Sequence, residues 1–259
     1  MLLKDRVAIV SGIGPGMGRD ISLALAREGA DMVLAARSAD RLEAVATEVR
    51  ALGRRALGVP TDIARREDCQ RLVDTAGSAL GRIDILVNNA YAGGPEPLIE
   101  HASMDEWRKV FDVNVFGSIQ LSQTVIPQMK AQGGGSIIFI NSMSMRVIEP
   151  RFGSYAASKG ALMTAAQTLA QEVGRYRIRV NSVVPGYIWG ASLEGYFKRL
   201  AKQQNTTPEA VYDAIAARSA LRHIPTSEEI ADAVLFFASD LSRVITGQAL
   251  DVNAGHFFH

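Results

Sequence analysis

Cysteine is almost absent: Cys69 stands alone in 259 residues. An intramolecular disulfide is therefore excluded, and such usage suits a reducing compartment. Long apolar runs are missing too, although 47% of the chain is hydrophobic. Nothing approaches the roughly 18 residues a membrane span needs. The N-terminal Met1-Leu-Leu-Lys-Asp-Arg runs directly into Val7–Val10, too short a stretch for a signal-peptide core. A cytoplasmic, soluble protein is expected, without a membrane partner. Charge of one sign is scarce: the formal net charge is +1 and no run of Lys or Arg occurs. Bulk electrostatics thus gives no support for a nucleic-acid partner. The four histidines, His101, His223, His256 and His259, show no metal-ligand spacing, so no metal is expected. His256 and His259 sit in an aromatic tail read as interface packing, or as reaching a neighbour's site.

Short apolar runs alternate with longer amphipathic stretches, the rhythm of βαβ units and a parallel sheet. Strands are predicted at Val7–Ser11, Asp31–Ala36, Arg55–Val59, Ile83–Val87, Ser136–Ile140, Ile178–Val183 and Gln248–Val252. Helices are predicted at Gly16–Glu28, Asp40–Leu52, Glu67–Leu80, Met104–Ala131, Ser154–Gly174 and Ser227–Ala238. Ser103-Met-Asp-Glu106 and Thr226-Ser-Glu-Glu229 carry the capping-box pattern. Gly133-Gly134-Gly135 should stop the long helix. No repeat or composition break divides the chain, so residues 1–259 read as one domain. The stretch from Pro185 to Pro225 exceeds what a βα connection requires, and a substrate lid is expected at about 187–222.

The turn Ser11-Gly12-Ile13-Gly14-Pro15-Gly16-Met17-Gly18 follows a predicted strand and opens a predicted helix. That is the context of a dinucleotide fingerprint. Gly12 permits the tight turn, Gly16 lets backbone approach a pyrophosphate, and Gly18 allows close helix packing. At the end of the second strand, Ala36 stands where an acid would bind the ribose of NAD, and Arg37 and Ser38 follow. These could hold a 2′-phosphate, so NADP(H) is expected as the preferred cofactor, with NAD(H) the alternative.

Downstream lie Ser142 and Tyr155-Ala-Ala-Ser-Lys159. A phenol has a pKa of about 10. A lysine four residues on lies on the same helix face. Its ammonium would favour phenolate and bring the phenol towards the working pH. A nearby serine hydroxyl can hold a carbonyl or alcohol oxygen against that phenol.

This order of glycine turn, Asn88-Asn89-Ala90, Asn114, Ser142, Tyr155, Lys159 and Pro185-Gly186 resembles the short-chain dehydrogenase/reductase family over nearly the whole chain. The resemblance implies a doubly wound, seven-stranded α/β Rossmann fold with helices on both faces. It implies an oxidoreductase interconverting a ketone and a secondary alcohol with a nicotinamide cofactor. Tyr155 would be the acid and base, Lys159 would tune the phenol and hold the ribose, and Ser142 would steady the substrate oxygen. Asn114 would anchor a water chain to Lys159; its bland alternative is a bond to a backbone carbonyl. Ser11, Asp62, Ile63, Asn89, Ala90, Pro185, Gly186 and Ile188 would add cofactor contacts, beside Gly12, Gly14, Gly16, Met17 and Gly18. Family relatives commonly assemble as tetramers through two long helices, so a homotetramer or homodimer is expected, with Val110, Phe111 and Leu169 facing outward.

Tyr91, Met143, Phe152, Tyr187 and Trp189 are expected to line a substrate pocket, beside Ser142. Their apolar and aromatic character suits a medium or bulky hydrophobic ketone or alcohol. Two further readings of the same fold are a cofactor-binding sensor without turnover, and a lyase or epimerase.

Overall fold

The structure is a computed structural model describing residues 1–94 and 96–258; the reading of His259 lies outside the described residues. Seven parallel strands form one sheet in the order β3-β2-β1-β4-β5-β6-β7. They are β1 (Val7–Ser11), β2 (Asp31–Ala36), β3 (Ala56–Pro60), β4 (Ile85–Asn88), β5 (Gly135–Ile140), β6 (Ile178–Pro185) and β7 (Ala249–Val252). Strand alternation sends successive side chains to opposite faces. Ala8 and Val10 of β1 thus join one buried cluster, Val7 and Ile9 the other. The first cluster is closed by α1 (Met17–Arg27), α2 (Ala39–Ala51) and α9 (Ser227–Ala238). The second is closed by α3 (Arg66–Leu80), α5 (Ser118–Ala131) and α6 (Gly153–Val173). Burial on both faces explains why the strands read as continuous apolar runs. Strand order reverses beside β1, where Ser11 pairs with Ala35 on one side and Asn88 on the other. A crevice opens beyond the strand ends at such a point.

The single helix predicted over Met104–Ala131 is instead three pieces. Helix α4 (Met104–Phe111) passes into a π-helical turn (Asp112–Gly117) before α5 resumes. Gly117 explains the break in part, because a Cβ there would lie 2.9 Å from Ile63 Cγ1 and 3.0 Å from its carbonyl oxygen. A π turn inserts one residue into the helical spiral, which apolar periodicity alone does not register. The capping expectation also divides. Thr226 and Glu229 form the complete box on α9, whereas Ser103 accepts from the Glu106 amide at 3.4 Å without the return bond. Val110 is buried rather than outward, Phe111 and Leu169 are half-buried, and Phe116 and Met104 are the exposed apolar residues nearby.

The stretch after β6 folds into α7 (Ala191–Gln204) and α8 (Pro208–Ala216), with a small core of their own around Phe197, Val211 and Ile224. Trp189 packs edge-on against Tyr212 at 4.8 Å between ring centroids. Its amide donates to the Pro225 carbonyl at 2.7 Å, fastening the segment to the chain before α9.

Candidate active site

The glycine turn, Arg37, Asp62, Asn89, Ser142 and Ile188 follow the C-terminal ends of the strands. The glycine turn joins β1 to α1. Gly12 adopts φ +80°, and a Cβ there would meet the Ala90 Cα at 2.5 Å. At Gly18 a Cβ would lie 2.4 Å from the Gly12 carbonyl oxygen, so only glycine lets α1 pack this close. Gly14 and Gly16 face open space. No side chain caps the first amides of α1, leaving donors and a positive dipole end free for phosphate.

A cleft of about 920 Å³ runs from this turn across the strand ends. Gly12, Gly14, Gly16, Met17 and Gly18 line one side of it. Arg37 and Ser38 stand at the β2 end, Asp62 and Ile63 at the β3 end, and Asn89, Ala90 and Ile188 complete the floor. Arg37 is exposed, and the Ser38 hydroxyl makes no capping bond to α2. Arg41, which sequence reasoning missed, adds a second guanidinium to the same edge. It lies one turn inside α2 and its position carried no motif. Asn89 donates to the Gly12 carbonyl at 2.8 Å, while its Oδ1 is buried without a partner. Open glycines, uncapped amides, two edge arginines and this orphaned acceptor together fit a dinucleotide.

Five expected cofactor residues lie outside the cleft wall: Ser11, Pro185, Gly186, and Tyr155 and Lys159 behind it. Ser11 is fully buried; its hydroxyl donates to the Val87 carbonyl at 3.3 Å and accepts from the Asn89 and Ala90 amides. It is a strut beneath the turn rather than a contact surface. Pro185 ends β6 and is buried, and Gly186 abuts Asn253 so closely that a Cβ would meet its Cβ at 2.9 Å.

Behind the cleft stand the four catalytic-type residues. Tyr155 and Lys159 share the first turns of α6, and Ser142, just past the end of β5, stands beside the phenol. Ser142 accepts from the Ser144 amide at 3.2 Å and hydroxyl at 3.0 Å. Lys159 is buried and donates to the Ile140 carbonyl at 2.8 Å, with its Nζ 5.6 Å from the Tyr155 ring centroid. Burial raises the phenol's pKa, opposed by the neighbouring Ser142 hydroxyl, and burial lowers the lysine to about 8. The expected lowering of the phenol by Lys159 is thus not what this arrangement produces: desolvation dominates, and the ammonium is turned to a carbonyl.

Asn114 lies in the π turn. Its Oδ1 accepts from the Ala92 amide at 2.7 Å, and its Nδ2 donates to the Ala92 carbonyl and the Ser158 hydroxyl, both at 2.9 Å. Both side-chain hydrogens are therefore spent within the protein, tying the loop after β4 to α6. That loop embraces Tyr155. Gly93 adopts φ +112°, and a Cβ there would sit 3.1 Å from the tyrosine's Cδ2. Tyr91 meets the same ring edge-on, with centroids 6.3 Å apart. Glu96 closes the embrace: its carboxylate accepts from the Ser154 amide at 2.6 Å and the Ser154 hydroxyl at 3.0 Å. It caps the first turn of the helix that carries Tyr155. Nothing in the sequence signalled Glu96, since it lies far from the helix it caps.

The expected substrate residues separate. Tyr91 and Trp189 line the cleft. Phe152 stands at the start of α6, half-buried. Met143 is buried against Gly186 and belongs to the core. Tyr187 donates to Glu149 at 3.3 Å and packs against His256 at 5.7 Å between rings, so the tail histidine meets its own chain. Among the described residues no three His, Cys, Asp or Glu side chains gather as a metal set. None of their helices is long and apolar enough to cross a membrane.

The family model described as enoyl-(acyl carrier protein) reductase matches residues 12–256. The 7alpha-hydroxysteroid dehydrogenase of Escherichia coli (strain K12) is 34% identical over 253 residues, covering 98% of this chain and 94% of that protein. The chain belongs to the short-chain dehydrogenase/reductase family. It is an oxidoreductase of the kind that works on CH–OH and C=O groups with NAD(P). A solved 7 alpha-hydroxysteroid dehydrogenase complexed with NADH and 7-oxo glycochenodeoxycholic acid superposes with a TM-score of 0.88 at 34% identity, covering 98% of this chain and 94% of that one. L-sorbose reductase from Gluconobacter frateurii, complexed with NADPH and L-sorbose, gives 0.93 at 32% identity, covering 99% and 98%. NAD+-bound xylitol dehydrogenase gives 0.90 at 29% identity, covering 97% and 99%.

Proposed function

We propose that this enzyme interconverts a medium or bulky hydrophobic ketone and its secondary alcohol, preferring NADP(H). The observation that carries the reading is the convergence of three side chains: the Ser142 hydroxyl stands near enough to the Tyr155 phenol to offset part of its burial, and Lys159 is buried one turn along the same helix. When bound, the cofactor supplies or accepts hydride at the substrate carbon. The chain's own residues handle the proton. Tyr155 gives its phenolic proton to the developing alkoxide in reduction and removes it in oxidation. Ser142 holds the same oxygen, as an oxyanion-hole donor would. Burial keeps the resting phenol raised, and once Tyr155 has given up its proton the nearby Lys159 ammonium is the positive charge that offsets the phenolate. Asn114 positions rather than donates, because its amide hydrogens clamp Ala92 and Ser158; a water relay from Lys159 would meet it at an acceptor.

Arg37 and Arg41, with no carboxylate at Ala36, support a 2′-phosphate at the β2 edge. Tyr91, Trp189 and Leu193 support an apolar substrate, with α7 and α8 as the lid. The single buried thiol of Cys69 is compatible with a reducing cytoplasm.

Fluorescence titration with NADPH and NADH in parallel tests the cofactor reading. NADPH is expected to bind at least tenfold tighter, about 1.4 kcal/mol, and Arg37→Asp should erase the difference. Equal affinities unmoved by that change would overturn the assignment of Arg37. For the chemistry, Tyr155→Phe is expected to lower turnover of a hydrophobic ketone by about a thousandfold or more, within the reach of general acid catalysis and substrate orientation together. Cofactor affinity should hold, and appreciable residual turnover would point to another acid.

A further inference from the structure

A second cavity, of about 510 Å³, lies at the opposite end of the sheet from the catalytic-type residues. Arg6, Ile85, Ser136 and Arg179 place it at the starts of β1, β4, β5 and β6. Five arginines line it, Arg6, Arg82, Arg177, Arg179 and Arg243, against two aspartates, Asp84 and Asp240. This leaves an excess of three positive charges on a chain whose whole net charge is +1.

Two of the arginines are committed. Arg82 grips Asp84 with bonds of 2.8 and 2.7 Å, and Arg6 reaches Asp84 at 3.1 Å and Asp240 at 3.7 Å. Asp84 also accepts from the Val7 amide at 2.9 Å, so its oxygens are fully engaged. The other three have no carboxylate partner among the described residues. Arg179 is half-buried and donates only to neutral oxygens, those of Phe237 at 2.8 Å, Ser242 at 2.7 Å and Ser239 at 3.2 Å. Arg177 and Arg243 are exposed at the rim. Gly133 keeps the facing rim open, for a Cβ there would meet nothing within 4 Å.

Like charges gathered in a concave, partly dry site repel one another unless an anion shares it. Guanidinium forks match phosphate oxygens in geometry as well as charge. An excess of three suits a di- or triphosphate better than a single carboxylate, and the volume falls in the range of small-ligand sites. We propose that this pocket binds a small polyphosphate anion, free or as the tail of a nucleotide, at a site separate from the cofactor cleft.

Calorimetric titration of the whole protein with tripolyphosphate at low salt tests this. One saturable site is expected, weakened tenfold or more by the double change Arg177→Ala and Arg243→Ala and unaffected by Arg37→Asp. Both rim side chains are exposed, so the double variant should fold and turn over substrate as before. ATP titrated alongside separates the two sources: tighter binding than tripolyphosphate that survives Arg37→Asp indicates a nucleotide, and equal binding indicates the phosphate chain alone. Absence of saturable heat, equal affinity in the double variant, or binding lost through Arg37→Asp would overturn the proposal.

Discussion

At the scale of single residues, Lys159 has an unusual position: it is 3% exposed, and its ammonium donates to the Ile140 carbonyl. Burial lowers its pKa from 10.5 to about 8. Below pH 8 the lysine is charged in both folded and unfolded chains, and the cost of burying that charge is fully present. Between about pH 8 and 10 the folded protein sheds the proton while the unfolded chain keeps it, so stability rises with pH. The whole shift corresponds to about 3 kcal/mol. Thermal unfolding followed across that window should show the gain in the native protein and its absence in Lys159→Met. The variant should also lose turnover. The phenol of Tyr155 is raised by burial, so its own loss of stability comes only above its ordinary range near pH 10.

Among the elements, the loop after β4 and the helix α6 form one mechanical unit. Glu96 caps the helix, Gly93 lies against the tyrosine ring and Asn114 holds Ala92. A lost cap costs about 1 kcal/mol, and in a chain of this size each kcal/mol is worth roughly 2–4 °C. Glu96→Ala is therefore expected to lower the melting temperature by a few degrees and kcat by about tenfold, with KM nearly unchanged. Glu96→Gln keeps an acceptor for the Ser154 amide and should recover most of both. Calorimetry and steady-state kinetics on the two variants check this. Of this unit the chain announced Asn114 and Tyr155, and Asn114 makes the backbone-carbonyl bond that was one of its two readings; Glu96 and the π turn were not legible. Glu96 acts across a sequence separation of 58 residues, and a π turn leaves no periodic trace. The strands were legible because burial on both faces makes them plain apolar runs. The glycine turn was legible because two of its positions admit no Cβ at all. The inward direction of the Ser11 hydroxyl was not legible because a hydroxyl at that place can point into the turn as readily as outward. The burial of Met143 was not legible because an apolar side chain reads alike in a core and in a pocket.

For the whole molecule, the exposed apolar side chains on α4 and the π turn call for a partner. Phe116 is 60% exposed and Met104, at the start of α4, 49%. An assembly through α4, α5 and α6 would cover them. Sedimentation velocity is expected to show that assembly, and Phe116→Asp should shift it towards smaller species; a monomeric native protein would rule the arrangement out. The segment of α7 and α8 adds a feature of a different sort. The chain has two tryptophans, and Trp189 lies on the cleft wall just before α7, while Trp107 sits with its indole nitrogen buried and unpaired. Reduced nicotinamide absorbs where indole emits, so Trp189 makes the protein its own optical gauge. Its quenching will report cofactor arrival, and any change in its emission maximum will report the wetting or drying of the cleft wall, without a label attached.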